Sequence, residues 1–489
     1  MSKQASWNLS GCRARGIARI GALLALPLAA AGVAQAQTAA TPAPAKAEDS
    51  SLTWKGITLY GIIDIGLQYQ THGTPISDYF PAGTAEPLQK NSNGSVTAVT
   101  PSNLSQSRIG LAGNEPLGAG DWAAVFRLET FFNPQSGNIS DALKSIALNN
   151  GRDIHHQTTN VDSSVAGQAF AGAAYAGFAS PTIGSFTFGR HVTPLADGIS
   201  KYDPMGASQA FSLIGFSGTY AGGGDTEDRR LDQSVKYTAK YNWLHLGALY
   251  QFSGASGSAN TAVQAQIGAE FAGFSADGYY AKKYNAVASS PLSAAQVEDL
   301  ATRCNPPVPP NPPFPNGAQC FSLSNSVAGT VSDNTTYALM AMYSFPTLKL
   351  YASYEHIQYG VPNTPLPAGA LTIGGYVLAV TNNTAYEFND KTLNVIWGGV
   401  KWTVIPQLDL VAAYYGYNQN SYGKAPCSDR SEATCSGKYQ VGSVLLNYRL
   451  TKRFDVYLGS MYSTASDGPS SGFLNTNTLA TTAGLRFKF

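Results

Sequence analysis

The side chains able to do chemistry in this chain are mostly charged residues set two apart. In WAAVFRLETF (122–131), Arg127 and Glu129 alternate with Phe126 and Leu128. In RLDQSVKYTAKY (230–241), Arg230, Asp232, Lys236 and Lys240 oppose Val235, Tyr237, Ala239 and Tyr241. Charge repeated on one face at this spacing suits electrostatic guidance of small polar solutes rather than bond making. Covalent chemistry has less to rest on. The histidines (His72, His155, His156, His191, His245, His356) are scattered, and no HExxH pair occurs. A metal at His155–His156 would need ligands from elsewhere. A hydrolase would need a serine and a histidine brought together by the fold. No cofactor is implied.

Alternation with one apolar face is the pattern of a half-buried strand. ITLYGIIDIGLQY (57–69) puts Ile63, Ile65, Leu67 and Tyr69 on one face and Asp64 and Gln68 on the other. We count 16 such segments from Ile57 to Phe489. They are joined alternately by short turns (242–243, 346–347, 451–452) and by long loops at about 72–103, 133–168, 191–229, 253–261, 285–334, 358–390, 418–438 and 463–478. An even strand number with short turns on one side and long loops on the other is the signature of an outer-membrane barrel. The expected fold is therefore all-β, a 16-stranded antiparallel transmembrane β-barrel with an inward-folded third loop. That loop, 191–229, is glycine-rich and shows neither helical stripe nor alternation. Such loops are usually functional. A soluble β-sandwich would alternate too. It would not explain Tyr and Phe recurring on the apolar face near strand ends. Leu485, Phe487 and Phe489 share one face at the C-terminus. Closure against the first strand would remove that apolar edge.

Composition sets further bounds. The net charge is +1 and 12% of residues are charged, which gives no reason to expect a nucleic-acid partner. Residues 1–36 read as a signal peptide: Arg13, Arg15 and Arg19, an apolar run from Ile20 to Val33, then Ala34-Gln35-Ala36. The apolar run is shorter than the roughly 20 residues that a membrane anchor needs. Residues 37–53 read as a flexible leader and 54–489 as the barrel. Four cysteines follow the signal, as the local pairs Cys304/Cys320 and Cys427/Cys435. Export favours disulfides, and both pairs fall in long loops. Zinc is the rival reading, weakened by the lack of CxxC spacing or a nearby histidine.

Several stretches together resemble the Gram-negative porins of proteobacterial outer membranes. They are LYGIIDIGLQY, SQSRIGLAGNEPLG, FRLETFFN, YAGF with GSFTFGRHVTP, DPMG, RRLDQSVKY and the terminal GLRFKF. The resemblance spans nearly all of the chain after the leader, except loops one, two, five and six. It implies a homotrimer of 16-stranded barrels set in outer-membrane lipid and lipopolysaccharide. Each barrel would be a water-filled channel for passive diffusion of small hydrophilic solutes and ions, with the third loop narrowing the pore. Two departures stand out. Gly172 sits where members of the family often carry arginine, and the Pro-Glu-Phe-Gly-Gly of enteric porin third loops is absent.

Strand parity then supplies the candidate lumen residues. Arg108, Arg127, Arg230, Lys236, Lys240, Lys349, Arg449 and Arg486 are expected inside, with Asp64, Glu129, Asp232, Glu270, Asp277, Glu355 and Asp409. The resemblance places a basic wall at Arg108 and Arg230. Asp197, Asp203, Asp225, Glu227 and Asp228 of the third loop would face it. The slight basic excess favours weak anion preference. Arg190 shares parity with Phe186 and Phe188, which would aim it at lipid, at a cost of roughly 2–4 kcal/mol at mid-bilayer. Either it sits near water at the strand end, or it faces another subunit beside the Ala/Gly-rich fourth strand. An adhesin or receptor barrel, or an outer-membrane lipase, are the rival functions.

Overall fold

The computed structural model describes residues 52–72, 94–118, 120–139, 142–153, 156–157, 169–214, 229–253, 261–303, 321–373, 375–427 and 432–489. The signal segment, Asp225, Glu227, Asp228, Cys304, Cys320 and His155 lie outside the described residues.

Sixteen long strands form the wall. They are β1 (Ile57–Gln70), β2 (Arg108–Pro116), β3 (Ala123–Phe131), β4 (Ala173–Ser180), β5 (Gly184–Val192), β6 (Arg230–Tyr241), β7 (Leu244–Gln251) and β8 (Ala262–Phe271). The second half is β9 (Phe274–Ser290), β10 (Ser326–Ser344), β11 (Leu348–Gly360), β12 (Lys391–Ile405), β13 (Leu408–Gln419), β14 (Gly437–Arg449), β15 (Phe454–Asp467) and β16 (Asn477–Lys488). Each pairs antiparallel with the next. The circle closes where Ile62–Gln70 of β1 pairs with Lys488–Ala480 of β16. Phe489 extends that closure, exchanging backbone hydrogen bonds with Gly61 at 2.9 and 3.1 Å. The sixteen-strand circle is thus closed among the described residues, which is the condition for crossing a bilayer with strands.

The wall keeps the expected parity. Leu67, Ile267, Leu339 and Leu458 are more than half exposed on the outer face, while Asp64, Gln68 and Asp277 are buried. Exposed aromatics gather near both strand ends. Trp243, Phe271, Phe345 and Trp402 lie by the short turns, and Tyr69, Tyr250, Tyr337 and Tyr462 towards the other rim. These are the two interfacial rows that bracket an apolar belt.

The long loops hold more structure than the sequence suggests. β9 and β10 run on together well past the alternating segments, Ala286–Ser290 pairing with Ser332–Ala328. A strand at Tyr376–Asn382 then pairs parallel with Ser326–Thr330, and Thr372–Ile373 pairs with Val377–Tyr376. Val287, Val327, Val331, Tyr376 and Leu378 form one buried cluster with residues of α1 (Ala142–Leu148). A second cluster joins Leu300 of α3 (Ala294–Arg303) to Ala328 and Ala379. Alternation vanishes there because protein covers both faces, so no face needs to be polar. At the other end, Trp54 pairs with Ile57, and Thr53, the last residue of the expected leader, with Thr58.

The first long loop also joins the sheet. Val96–Pro101 pairs with the upper part of β1 while β2 takes its lower part. Residues 102–107 turn between the two. Asp64 holds that turn: its carboxylate accepts from the N–H groups of Asn103, Leu104 and Ser105 at 3.2, 2.9 and 2.8 Å. Tyr457 Oη donates to it as well, at 2.6 Å. Asp64 was expected on the wet wall. It is instead fully buried, because three backbone donors and a phenol converge on it.

Candidate functional site

Residues 193–214 leave the wall after β5 and lie against the inward faces of β8 to β15. Thr193 caps α2 (Pro194–Tyr202), its Oγ1 accepting from Ala196 N–H at 3.2 Å, and Pro194 occupies the first turn, where its missing N–H costs nothing. The helix is held at both ends. Leu195 N–H donates to Gln264 Oε1 at 3.1 Å, and Tyr202 Oη bonds to Ser275 Oγ at 2.7 Å and to Asp277. Burial first, then that carboxylate, pushes the Tyr202 phenol well above its ordinary value. Past the helix, Asp203 accepts from Met205 N–H at 3.1 Å, Ala207 N–H at 2.7 Å and Tyr415 Oη. Burial keeps its carboxyl above the usual carboxylate range. Trp397 Nε1 donates to the Tyr202 carbonyl at 3.3 Å, and Ala210 N–H to the Asn103 carbonyl at 2.9 Å. A Cβ on Gly399 would stand 2.8 Å from Pro204, so only glycine lets the segment seat this closely. Asp203 was expected to face the pore. It is buried and serves the segment's own fold.

The predicted basic wall assembles around Glu129. Arg127 Nη2 lies 2.6 Å and Arg108 Nη1 3.8 Å from its carboxylate. Tyr60 Oη donates to Glu129 at 3.0 Å and accepts from Arg127 Nε at 2.6 Å. The Arg230 guanidinium lies 4.5 Å over the buried Phe131 ring, and its Nε donates to the Gly172 carbonyl at 2.9 Å. A Cβ on Gly172 would come 2.4 Å from Glu129 Oε1. Glycine at that position makes room for the carboxylate that binds the two arginines. On the same strand as Arg230, Lys236 Nζ reaches Asp197 Oδ2 of α2 at 2.6 Å and the Val192 carbonyl at 2.8 Å.

One site residue departs from parity. Gln233 adopts φ 49°, and the β5–β6 register shifts between Gly189 and His191. Leu231 and Ser234 are therefore both buried, while Asp232 is not. Asp232 bonds to Arg190, which also donates to the Ala171 carbonyl at 3.0 Å. Arg190 is thus buried with a carboxylate of its own chain, and needs none from a neighbour.

A family model described as Gram-negative porin matches residues 22–468. The chain belongs to that family. This porin therefore forms an outer-membrane channel. Among solved structures it is similar to the anion-selective porin from Comamonas acidovorans, at TM-score 0.54 and 16% identity, covering 88% of this chain and 99% of that one. It is also similar to outer-membrane expressed OmpT of Vibrio cholerae, at TM-score 0.51 and 12% identity over 90% and 99%. A third likeness is a trimer form of in-vitro folded OmpT, at TM-score 0.51 and 14% identity over 88% and 99%. No curated protein sequence matches this one.

Two more charge clusters line the porin's inner wall. Asp277 takes Lys201 Nζ at 3.0 Å and Gln266 Nε2 at 3.0 Å, with His245 Nδ1 at 3.5 Å. Near the short turns, Asp409 takes Arg449 and, at 3.0 Å, Lys401. Asp455 takes Arg486 at 2.9 Å and Lys488 at 3.4 Å. Tyr60, Tyr202, Trp397, Tyr415 and Tyr457 carry much of this architecture and were missed as site residues. Tyr60 shares parity with Asp64, so the alternation did place it inside. The lipase reading gains one sequence match, GPSSG (468–472). Its Ser470 Oγ donates to the Asp467 carbonyl at 2.7 Å within a single 3₁₀ turn, not a strand-to-helix elbow.

Proposed function

We propose that this porin passes small hydrophilic solutes and ions by passive diffusion with a weak preference for anions. The observation that supports it is an asymmetry of exposure. Arg108, Lys401, Arg449 and Lys488 have side chains 30, 37, 35 and 44% exposed, while their partners Glu129, Asp409 and Asp455 are 2, 2 and 4% exposed. A permeating ion meets the cation and not its counter-charge. The exception, Lys236 with Asp197 of α2, exposes the acid instead and moderates the effect. The constriction is the passage between residues 193–214 and the wall carrying Arg108, Arg127 and Arg230. Reversal potential in a potassium chloride gradient across a planar bilayer tests the reading. A chloride-favouring sign is expected, and a potassium-favouring one would refute it.

The working unit is a homotrimer in outer-membrane lipid and lipopolysaccharide, reached by export behind a cleaved signal at residues 1–36. A groove of about 690 Å³ on the outer wall, lined among others by Ile57, Ala124, Ala176, Phe178 and Phe188, supports close subunit approach at β4. The Vibrio cholerae OmpT structure named as a trimer form is consistent with it. Native mass spectrometry in mild detergent showing monomer alone would refute the trimer.

A further inference from the structure

Between the Pro204–Gly206 turn and the wall formed by β12 to β16 lies a cavity of about 180 Å³. Its lining mixes two chemistries. The polar part includes Lys401, Arg486 and Asn447. Lys401 gives one donor to Asp409, at 3.0 Å, and an ammonium has three. Arg486 spends Nε and one Nη2 hydrogen on Asp455 and one Nη1 hydrogen on Ser105 Oγ at 2.7 Å. A guanidinium has five N–H donors, so two remain. Asn447 Oδ1 is buried without a hydrogen-bond partner among the described residues. The acid that lines the cavity, Asp409, is already saturated by Thr403 at 2.8 Å, Arg449 and Lys401. Four cations (Lys401, Arg449, Arg486, Lys488) share two carboxylates here, leaving a positive excess. The apolar part of the lining is Leu104, Met205, Val411 and Leu445, all buried.

We propose that this cavity is a binding subsite for small amphiphilic monocarboxylates, with an aromatic or branched apolar body. The carboxylate lies between Lys401 and Arg486, and the body rests on Met205 and Leu445. A cavity of roughly 150 Å³ is enough for a benzene-sized ligand, so one ring fits. Chloride and acetate gain the charge but little apolar contact. A neutral alcohol gains the apolar contact only. The subsite rests on the channel reading, since solute reaches it through the lumen.

The probe is sodium benzoate added to single channels at fixed ionic strength, against sodium acetate and benzyl alcohol. Benzoate is expected to reduce conductance at concentrations at least tenfold lower than acetate, and benzyl alcohol to have no effect. Lys401→Gln should raise the half-blocking benzoate concentration about tenfold, while Lys401→Arg should retain block. Met205→Ser should shrink the gap between benzoate and acetate. Heat-modifiable gel mobility shows which variants have folded. Equal block by benzoate and acetate, or unchanged benzoate block in folded Lys401→Gln, would overturn the subsite and leave the channel reading standing. If the protein passes no current at all, the channel reading falls. Calorimetric titration of the detergent-solubilised protein with benzoate then still decides the cavity, and absence of saturable heat overturns it.

Discussion

Replacing Arg108 by glutamine tests whether accessible charge at the Glu129 cluster sets ion preference. Arg108 is the more exposed of the two arginines paired with Glu129, 3.8 Å from it and 30% exposed against 26% for Arg127. In water a unit charge about 7 Å from a passing ion contributes about 0.6 kcal/mol. A Debye length of about 10 Å at 0.1 M salt halves that to roughly 0.3 kcal/mol. The contribution has opposite sign for chloride and potassium, so the permeability ratio should move by about 0.6 kcal/mol, or about threefold toward cations. At 1 M the Debye length is about 3 Å, and the shift should shrink to about 1.2-fold. Glutamine is a cleaner choice than glutamate, because a second carboxylate beside Glu129 would share a proton with it and blunt the change. The barrel should tolerate the substitution, since Glu129 keeps Arg127 at 2.6 Å and Tyr60 at 3.0 Å. The assay is reversal potential in potassium chloride gradients centred at 0.1 and 1 M. An unchanged ratio at 0.1 M would refute the reasoning, as would an equal shift at both salts.

Other outcomes follow from the same geometry. Tyr415→Phe removes a hydrogen bond to the buried Asp203 carboxylate; a loss of about 1.5–3 kcal/mol in segment anchoring is expected, visible as more frequent voltage closure and faster amide exchange in 193–214. The Asp203 carboxyl is raised by burial in the docked segment. Between its ordinary value and that raised one, the docked form holds a proton that a free segment has released, so lowering the pH through this window should favour docking. Amide exchange in 193–214 that speeds up as the pH falls through it would contradict this. Cys427 and Cys435 are bonded across a separation of 8 residues. Their joint replacement by serine should loosen that loop by about 2 kcal/mol and leave ion selectivity alone, by proteolysis and reversal potential respectively. Non-reducing peptide mapping should also show Cys304 joined to Cys320, and cross-pairing would overturn that assignment.

The strands were legible because lipid and water impose opposite demands on alternate residues. Where a strand has protein on both sides, as at Ala286–Ser290 and Ala328–Ser332, no such demand exists and the alternation stops. Parity tells which face a side chain takes, but not how deep it lies. Asp64 and Asp203 were read as pore acids on parity and loop position. Their fate was decided by backbone N–H groups, of residues 103–105 and of Met205 and Ala207, that no periodicity reveals. Asp232 was misplaced for a different reason. One residue in a left-handed conformation, Gln233, breaks the count of two. The interior aromatics Trp397, Tyr415 and Tyr457 sit at inward positions by parity, yet only the folded segment 193–214 shows why large rings are needed there.

The lumen's field also differs from what the charge count suggests, and side-chain chemistry explains the difference. The chain is close to neutral, at +1. A carboxylate is compact and accepts several short hydrogen bonds at once, so it can be buried where donors converge. Asp409 meets Thr403, Arg449 and Lys401, and Asp455 meets Arg486 and Lys488. Lysine and arginine bury an aliphatic stem and carry the charged head outward. On a wall where the two kinds alternate, the acids sink to the backbone and the bases stand over them. The pair is neutral in sum, but its positive end is nearer the water. A solute in the lumen then responds to the nearer charge, because the Coulomb term falls with distance and is screened by salt. Exchanging which partner is long would reverse the field at constant net charge. Lys401→Asp with Asp409→Lys, at the Lys401–Asp409 pair, would shorten the outward arm, and cation preference should rise without any change in the sum of charges.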